Sequence, residues 1–90
     1  MSELGFPCPC CGYPTLSEEP PGTFDICPIC FWEDDNVQYR DPSHAGGANT
    51  VSLNEARANF EAIGVSDPSS RDLVRSPTDE EKRHRVTRGN

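Results

Sequence analysis

Cys8-Pro9-Cys10-Cys11-Gly12 and Cys27-Pro28-Ile29-Cys30 are the two stretches that decide the fold of this chain. Each is a turn, or knuckle, that directs the sulfurs of its two outer cysteines into one small volume, with the proline fixing one φ angle. Two knuckles separated by fifteen residues have the spacing of a structural zinc site. We therefore predict a Zn²⁺ site, with iron as the less favoured ion, whose ligands are Cys8, Cys11, Cys27 and Cys30.

The composition explains why this chain needs a metal. Its 90 residues include only 33% hydrophobic side chains, and the mean hydropathy is -0.68. A chain this short and polar cannot rely on a large apolar core. The binding free energy of a structural zinc ion, about 10 to 16 kcal/mol in finger peptides, acts as folding free energy and offsets that shortage. We expect metal removal to unfold at least the N-terminal half.

The pattern of turns and apolar residues predicts a small α+β fold of the zinc-ribbon kind. Residues 13–16 and 23–26 flank a Pro-Gly turn and are predicted to form a β-hairpin whose base the metal clamps. The main helix is predicted over residues 53–63, because Ser52 suits the N-cap and Gly64 the left-handed C′ position. Its apolar stripe, formed by Leu53, Ala56, Phe60 and Ile63, is expected to pack on the hairpin and on the Phe31-Trp32 corner.

The C-terminal third is predicted to be less ordered than the rest. Asp67-Pro68 favours the start of a short second helix that ends near Arg75, with Leu73 and Val74 as its apolar contacts. Residues 1–75 are thus expected to form a single zinc-binding domain. Residues 76–90 have Val86 as their one apolar residue besides Pro77, so we predict a flexible charged tail.

Charge and cysteine usage restrict the partners and the compartment. Residues 1–70 carry 2 basic side chains against 11 acidic ones, and residues 71–90 carry 6 against 4. This balance argues against nucleic acid and favours a basic protein partner. The N-terminus lacks the regions of a signal peptide and no segment could span a membrane, so a cytoplasmic protein is expected. In that reducing compartment, five cysteines fit metal binding better than disulfides.

Further residues are candidates for chemistry or contact. Cys10 is the third residue of its knuckle, so its thiol is expected to point outward, to bind no metal and, if exposed, to be sensitive to oxidation. The polar run after the second knuckle is predicted to form an acidic partner-facing edge made by Trp32, Glu33, Asp34 and Asp35. His44 lies in a loop with Gly46-Gly47, and four thiolates already fill the metal shell, so we do not expect it to be a ligand.

Several short motifs resemble those of the cysteine-rich CPCC family and occur in the same order along the chain. They are found in residues 6–13, 21–35, 46–49 and 52–57, and the resemblance extends over residues 6–65. It implies a small cysteine-rich domain and provides no catalytic residue. A looser resemblance to rubredoxins, in Cys11-Gly12-Tyr13, residues 21–24 and the second knuckle, implies shared knuckle geometry. Because rubredoxins have a longer insertion between knuckles, iron-based electron transfer is less favoured here.

Three functions follow from these features. The favoured one is a non-catalytic structural-zinc binding module that contacts a protein partner through the acidic edge. The alternative is a redox or electron-transfer protein, using iron at the four cysteines or the extra thiol of Cys10. A further alternative is a carboxylate-based hydrolase, which would need a second metal site at Glu33, Asp34 and Asp35.

Overall fold

The computed structural model describes residues 4–86 as a small α+β fold. A two-stranded antiparallel sheet and four cysteines close to it occupy the N-terminal half, and helices follow. No helix among the described residues is both long and apolar enough to cross a membrane. The elements in chain order are β1 (Phe6–Pro7), β2 (Pro14–Leu16), α1 (Asn36–Arg40), α2 (Leu53–Ile63), a 3₁₀ helix (Pro68–Leu73) and α3 (Asp79–Arg83).

Each knuckle lies at the tip of its own narrow antiparallel ribbon. Strands β1 and β2 pair on the two sides of the first knuckle. On the two sides of the second knuckle, Ile26 forms a bridge with Glu33, and the Phe24 amide donates to the Asp34 carbonyl at 2.9 Å. The predicted hairpin between residues 13–16 and 23–26 is therefore wrong.

The two arms of a knuckle pair because few residues separate them and loop closure is inexpensive. The segment between the knuckles suits a hairpin poorly, since Pro20 and Pro21 have no backbone N–H to donate a hydrogen bond. Phe24 has a φ of 59°, in the left-handed region, which a strand residue does not adopt. A side chain closes this segment instead: the Asp25 carboxylate accepts from the amide and the hydroxyl of Ser17.

Helix α2 confirms the predicted helix over residues 53–63. The Ser52 hydroxyl accepts from the Glu55 amide at 3.1 Å, and Gly64, with a φ of 81°, ends the helix. Leu53 and Ala56 belong to the same buried cluster as the knuckle cysteines and Trp32, and Phe60 packs at its edge. The apolar stripe is shorter than predicted, because Ile63 remains exposed.

The predicted second helix is a 3₁₀ helix. Asp67 is its N-cap and accepts from the Ser69 amide at 2.9 Å, while Pro68 occupies the first helical position. Leu73 does not provide the expected apolar contact, since 60% of it is exposed. This element is therefore held by its cap more than by apolar burial.

Residues 76–86 contain helix α3 and contact the rest of the domain, whereas the sequence predicts a flexible tail over residues 76–90; residues 87–90 lie outside the described part. Helix α3 begins with a capping box between Thr78 and Glu81. The buried Glu81 carboxylate accepts from both terminal nitrogens of Arg75, each at 2.9 Å. The chain then returns to the first knuckle, where the Val86 amide donates to the Gly12 carbonyl at 2.8 Å. Low apolar content was a poor guide to the structure of residues 76–86, because ionic and backbone contacts hold these residues.

Candidate metal centre

Four sulfur atoms meet between the two knuckles. The Sγ atoms of Cys8 and Cys30 are 3.6 Å apart, those of Cys11 and Cys27 are 3.7 Å apart, and all four lie within 4.8 Å of one another. All four residues are buried. They are the only group of His, Cys, Asp or Glu residues within 4–86 that could hold a metal ion.

The two knuckles repeat one backbone geometry. In the first, the Cys8 amide donates to the Tyr13 carbonyl and the Gly12 amide donates to the Cys8 carbonyl, both at 2.9 Å. In the second, the Cys27 amide donates to the Trp32 carbonyl and the Phe31 amide to the Cys27 carbonyl, at 2.9 and 2.8 Å. Both turns lie where the sequence predicts them.

The residue that follows each knuckle has a left-handed backbone. Gly12 has a φ of 80°, and Phe31, in the corresponding position, has a φ of 70°. Glycine adopts this region freely, whereas a residue with a Cβ is strained there. The second knuckle therefore holds a bulky aromatic residue where the first holds glycine.

Hydrogen bonds to sulfur surround the site. The amides of Cys10 and Ile29 each lie 3.4 Å from the first sulfur of their own knuckle, and the Trp32 amide lies 3.5 Å from the Cys30 sulfur. The Thr15 hydroxyl donates to the Cys27 sulfur at 3.0 Å. Donors of this kind stabilise thiolates and orient metal ligands. Thr15 could not be found from the sequence, because its contact joins β2 to the second knuckle, which only the folded chain brings together.

Two arginines bring positive charge to the first knuckle. The Nε atom of Arg57 on α2 donates to the Pro9 carbonyl at 2.9 Å, and that of Arg85 donates to the Cys11 carbonyl at 2.8 Å. Arg85 also lies over the rings of Tyr13 and Phe60, at 5.0 and 5.3 Å from their centroids. Four thiolates around a divalent ion carry a net charge of about -2, which nearby guanidinium groups offset. Sequence reasoning placed Arg85 in the tail and so missed this contact.

The protonation of the sulfurs also favours a cation. Burial above all, and then the neighbouring thiols, raise the pKa of Cys30. The hydrogen bond between the Cys11 and Cys27 sulfurs raises the pKa of Cys11 and lowers that of Cys27. Because thiols packed this closely cannot all ionise without a cation among them, metal binding would release protons.

The arrangement fits a tetrahedral ion with four sulfur ligands. Zn–S bonds of about 2.3 Å in a tetrahedron place the sulfurs about 3.8 Å apart, close to the 3.6 Å between Cys8 and Cys30 and the 3.7 Å between Cys11 and Cys27. The four cysteines are thus positioned to bind a metal ion, as predicted. Such a site supplies folding free energy and leaves no position open for a substrate.

The structure places Cys10 inside the protein, so the expected outward orientation is wrong. Only 4% of the residue is exposed, and it belongs to the buried cluster together with Cys8 and Cys11. Arg57 and Arg85 hold the carbonyls on its two sides, those of Pro9 and Cys11, and so cover this part of the knuckle. Cys10 does not belong to the group of four sulfurs that could hold an ion.

The predicted acidic edge is not a surface, which is a second correction. Trp32 and Asp34 are fully buried and Asp35 is 7% exposed, so Glu33 alone of the four is partly accessible. The Asp34 carboxylate accepts from the Thr23 amide at 2.9 Å. Asp35 caps α1, and its hydrogen bonds to backbone amides, first that of Ala48, lower the pKa of its carboxyl. These carboxylates are not gathered into a metal site, and the hydrolase alternative loses its geometric basis.

A buried polar network explains the glycine-rich loop. The Gln38 amide nitrogen donates to the carbonyls of His44, Asn49 and Val51, at 3.0 to 3.1 Å. The Asn49 side chain accepts from the Glu33 amide at 2.9 Å and donates to the Glu33 carbonyl at 2.7 Å. A Cβ on Gly47 would come within 2.7 Å of the Asp35 carboxylate. His44 and the two glycines thus belong to a loop wrapped around Gln38 and Asp35.

Comparison with known proteins gives one family. The family model described as Cysteine-rich CPCC matches residues 6–81, which include both knuckles, the loop and α2. The match also extends into α3, beyond the residues on which the sequence resemblance rested. No curated protein matches the chain.

Proposed function

The chain belongs to the cysteine-rich CPCC family, and we propose that it is a non-catalytic structural-zinc binding module that contacts a basic protein partner. The observation that carries this proposal is the group of four buried sulfurs within 4.8 Å of one another. Catalytic zinc sites have three protein ligands and one open position, whereas four thiolates close the shell. The metal would therefore act on folding and not on a substrate.

Zinc is the favoured ion, although four thiolates also suit iron. The knuckles are closer in sequence than those of rubredoxins, and guanidinium groups from Arg57 and Arg85 lie on the first knuckle. Electron transfer further requires an ion that changes its oxidation state, which zinc does not. Iron in the purified protein would instead favour the electron-transfer alternative.

Native mass spectrometry of freshly purified protein tests the metal. We expect one zinc ion per chain, and we expect Cys11→Ser to lose it because this substitution removes one of the four sulfurs. Cys10→Ser is the matched control, since Cys10 belongs to the same knuckle but not to the group of four. A red protein containing iron, or loss of the metal in Cys10→Ser, would contradict the proposal.

A basic protein is the proposed partner because of charge. The formal net charge is -7, and most acidic residues of the described part are exposed, among them Glu18, Glu19, Asp41, Glu55 and Glu61. Complementary charge accelerates encounter and selects partners, and its effect falls as salt screens it. Fluorescence anisotropy with a labelled octalysine peptide should show binding that weakens with salt. Equal binding of an octaglutamate peptide would contradict a basic partner.

A further inference from the structure

A cleft lies between the second knuckle, the loop after α1 and the start of the 3₁₀ helix. Its volume is about 190 Å³, and its apolar wall is formed by Ile26, Phe31 and Val51. Sites for small ligands and cofactors have volumes of about 300–1,000 Å³, so this cleft is too small for a nucleotide or a sugar chain. It has the size for one side chain of a partner.

The polar groups of the cleft are acidic or neutral. Glu33 and Asp67 line it, and no basic residue does among those that the structure describes. Within residues 4–86 the Glu33 carboxylate has no hydrogen bond or ion pair. The Asn49 side chain bonds only to the backbone amide and carbonyl of Glu33. In Asp67, one carboxylate oxygen, Oδ1, receives both hydrogen bonds from Ser69. Negative charge is thus available to a ligand.

Two serine hydroxyls add a second, independent feature. Ser66 and Ser70 line the cleft and are only 3% and 6% exposed. The Ser66 amide donates to the Cys30 carbonyl and the Ser70 amide to the Asp67 carbonyl, which fixes both backbones. Neither hydroxyl has a hydrogen-bond partner within the described part of the chain. Both hydroxyls are therefore free to bond to a polar group that enters the cleft.

Phe31 forms a wall of the cleft in a strained conformation. Its φ of 70° costs about 1–2 kcal/mol in a residue with a side chain. Glycine occupies the corresponding position of the first knuckle, so the knuckle itself does not require an aromatic ring there. The knuckle thus needs the left-handed backbone at this position but not the aromatic side chain, and strained residues of this kind are found at binding sites.

We infer that this cleft receives the side chain of a lysine or arginine that projects from a basic protein partner. The aliphatic stem of such a side chain would pack on Phe31, Ile26 and Val51, while its cationic end would reach Glu33, Asp67 and the serine hydroxyls. The inference rests on the proposed basic partner and identifies where that partner is recognised. Glu33 is the only residue of the predicted acidic edge that would contact the partner at this cleft.

The test uses metal-loaded protein and three small probes: the N-acetyl amides of lysine, arginine and norleucine. Norleucine keeps an aliphatic stem without the charge. NMR titration should show saturable shifts of the amides of Phe31, Ser66 and Ser70 with lysine or arginine, and binding about tenfold weaker with norleucine. The stronger of the two cationic probes identifies the preferred residue. Norleucine binding as tightly as either cation would overturn the inference.

Matched variants separate the cleft from general surface charge. Glu33→Gln with Asp67→Asn should weaken binding of the cationic probe about tenfold, and asparagine keeps the N-cap. Glu18→Gln with Glu19→Gln, which removes the same charge elsewhere, should leave it unchanged. Phe31→Gly should keep the zinc, as Gly12 does in the first knuckle, but lose binding.

The variants also show which proposal has failed. If both double variants weaken binding equally, or if the cleft amides do not shift, the cleft inference is wrong while octalysine binding still supports a basic partner. If octalysine does not bind at all, the basic partner fails as well. Loss of zinc is measured separately on the same samples by native mass spectrometry.

Discussion

Gly12 couples the candidate metal site to the C-terminal segment, by which we mean residues 76–86. Its φ of 80° lies in the left-handed region, and a Cβ there would overlap the Val86 carbonyl oxygen. The close approach permits the hydrogen bond from the Val86 amide to the Gly12 carbonyl. Glycine is thus required at this position by both conformation and space.

Gly12→Ala is predicted to destabilise the protein more than Gly64→Ala. Gly64 has nearly the same φ, 81°, but an added Cβ would have nothing within 4 Å, so its substitution costs only the left-handed strain of about 1–2 kcal/mol. Gly12→Ala adds the overlap and should expose the Val86 amide. Urea unfolding and amide exchange at Val86 measure both effects. Equal losses of stability in the two variants would show that the close approach is unimportant.

Glu81 gives a pH dependence at the same scale. Its hydrogen bonds with Arg75, and then its bond from the Thr78 amide, lower the pKa of the carboxyl from 4.5 to about 2. A lowered pKa in the folded state means that Glu81 stabilises the protein above pH 4.5. That contribution is lost as the pH falls from about 4.5 to about 2.

The difference in unfolding free energy between the wild type and Glu81→Gln should therefore narrow as the pH falls through this range. Acid also protonates the cysteine thiolates and releases the metal, so the two proteins are compared only at pH values at which both still bind the ion. A difference that stays constant as the pH falls below 4.5 within that range would show that the Arg75 contact does not depend on ionisation.

Among the elements, the loop after α1 depends on side chains for its hydrogen bonds. Asn49 holds the Glu33 backbone and donates to the Gln38 carbonyl oxygen Oε1 at 2.9 Å. We predict that Asn49→Ala lowers the unfolding free energy by about 1–3 kcal/mol for each buried group left unpaired, without displacing zinc. Asn54→Ala, at an exposed position on α2, should have little effect. Loss of zinc from Asn49→Ala would instead make this loop part of the metal site.

The C-terminal segment contacts the first knuckle through Arg85, and we predict that this contact protects the metal site. Its guanidinium contacts the Cys11 carbonyl, Glu61, Tyr13 and Phe60. Arg85→Ala should lower stability by about 2 kcal/mol and speed the loss of metal to a chelator several-fold. Arg83→Ala on α3 removes an exposed charge of the same sign and serves as the control. Equal rates of metal loss in both variants would show that the segment does not protect the site.

Local patterns predicted some elements and missed others for physical reasons. The knuckle spacing gave the sulfur cluster, and the Ser52 cap with Gly64 gave the bounds of α2, because both are encoded within a few residues. The pairing of each knuckle with its own arms, and the return of Val86 to Gly12, depend on contacts that no short window contains. The burial of Asp34 and Asp35 was missed because their partners are backbone amides, which composition does not reveal.

For the whole molecule, we propose that a metal ion bound by the four cysteines takes the place of a larger apolar core. The buried hydrophobic cluster contains all five cysteines and few large apolar side chains, chiefly Tyr13, Leu16, Ile29, Trp32 and Leu53. Both ribbons, α2 and the C-terminal segment contact the knuckles that surround the four sulfurs. Removing the ion would leave four buried sulfurs, among them Cys11 and Cys30 with raised pKa values, in place of a bonded centre.

The most direct test is the ¹H–¹⁵N NMR spectrum of one reduced sample before chelation, after chelation and after the return of zinc. We predict that the dispersed amide signals of residues 4–86 collapse when the metal is removed and return with one equivalent of zinc. A demetallated protein that keeps its dispersed spectrum would show that the fold does not depend on the metal.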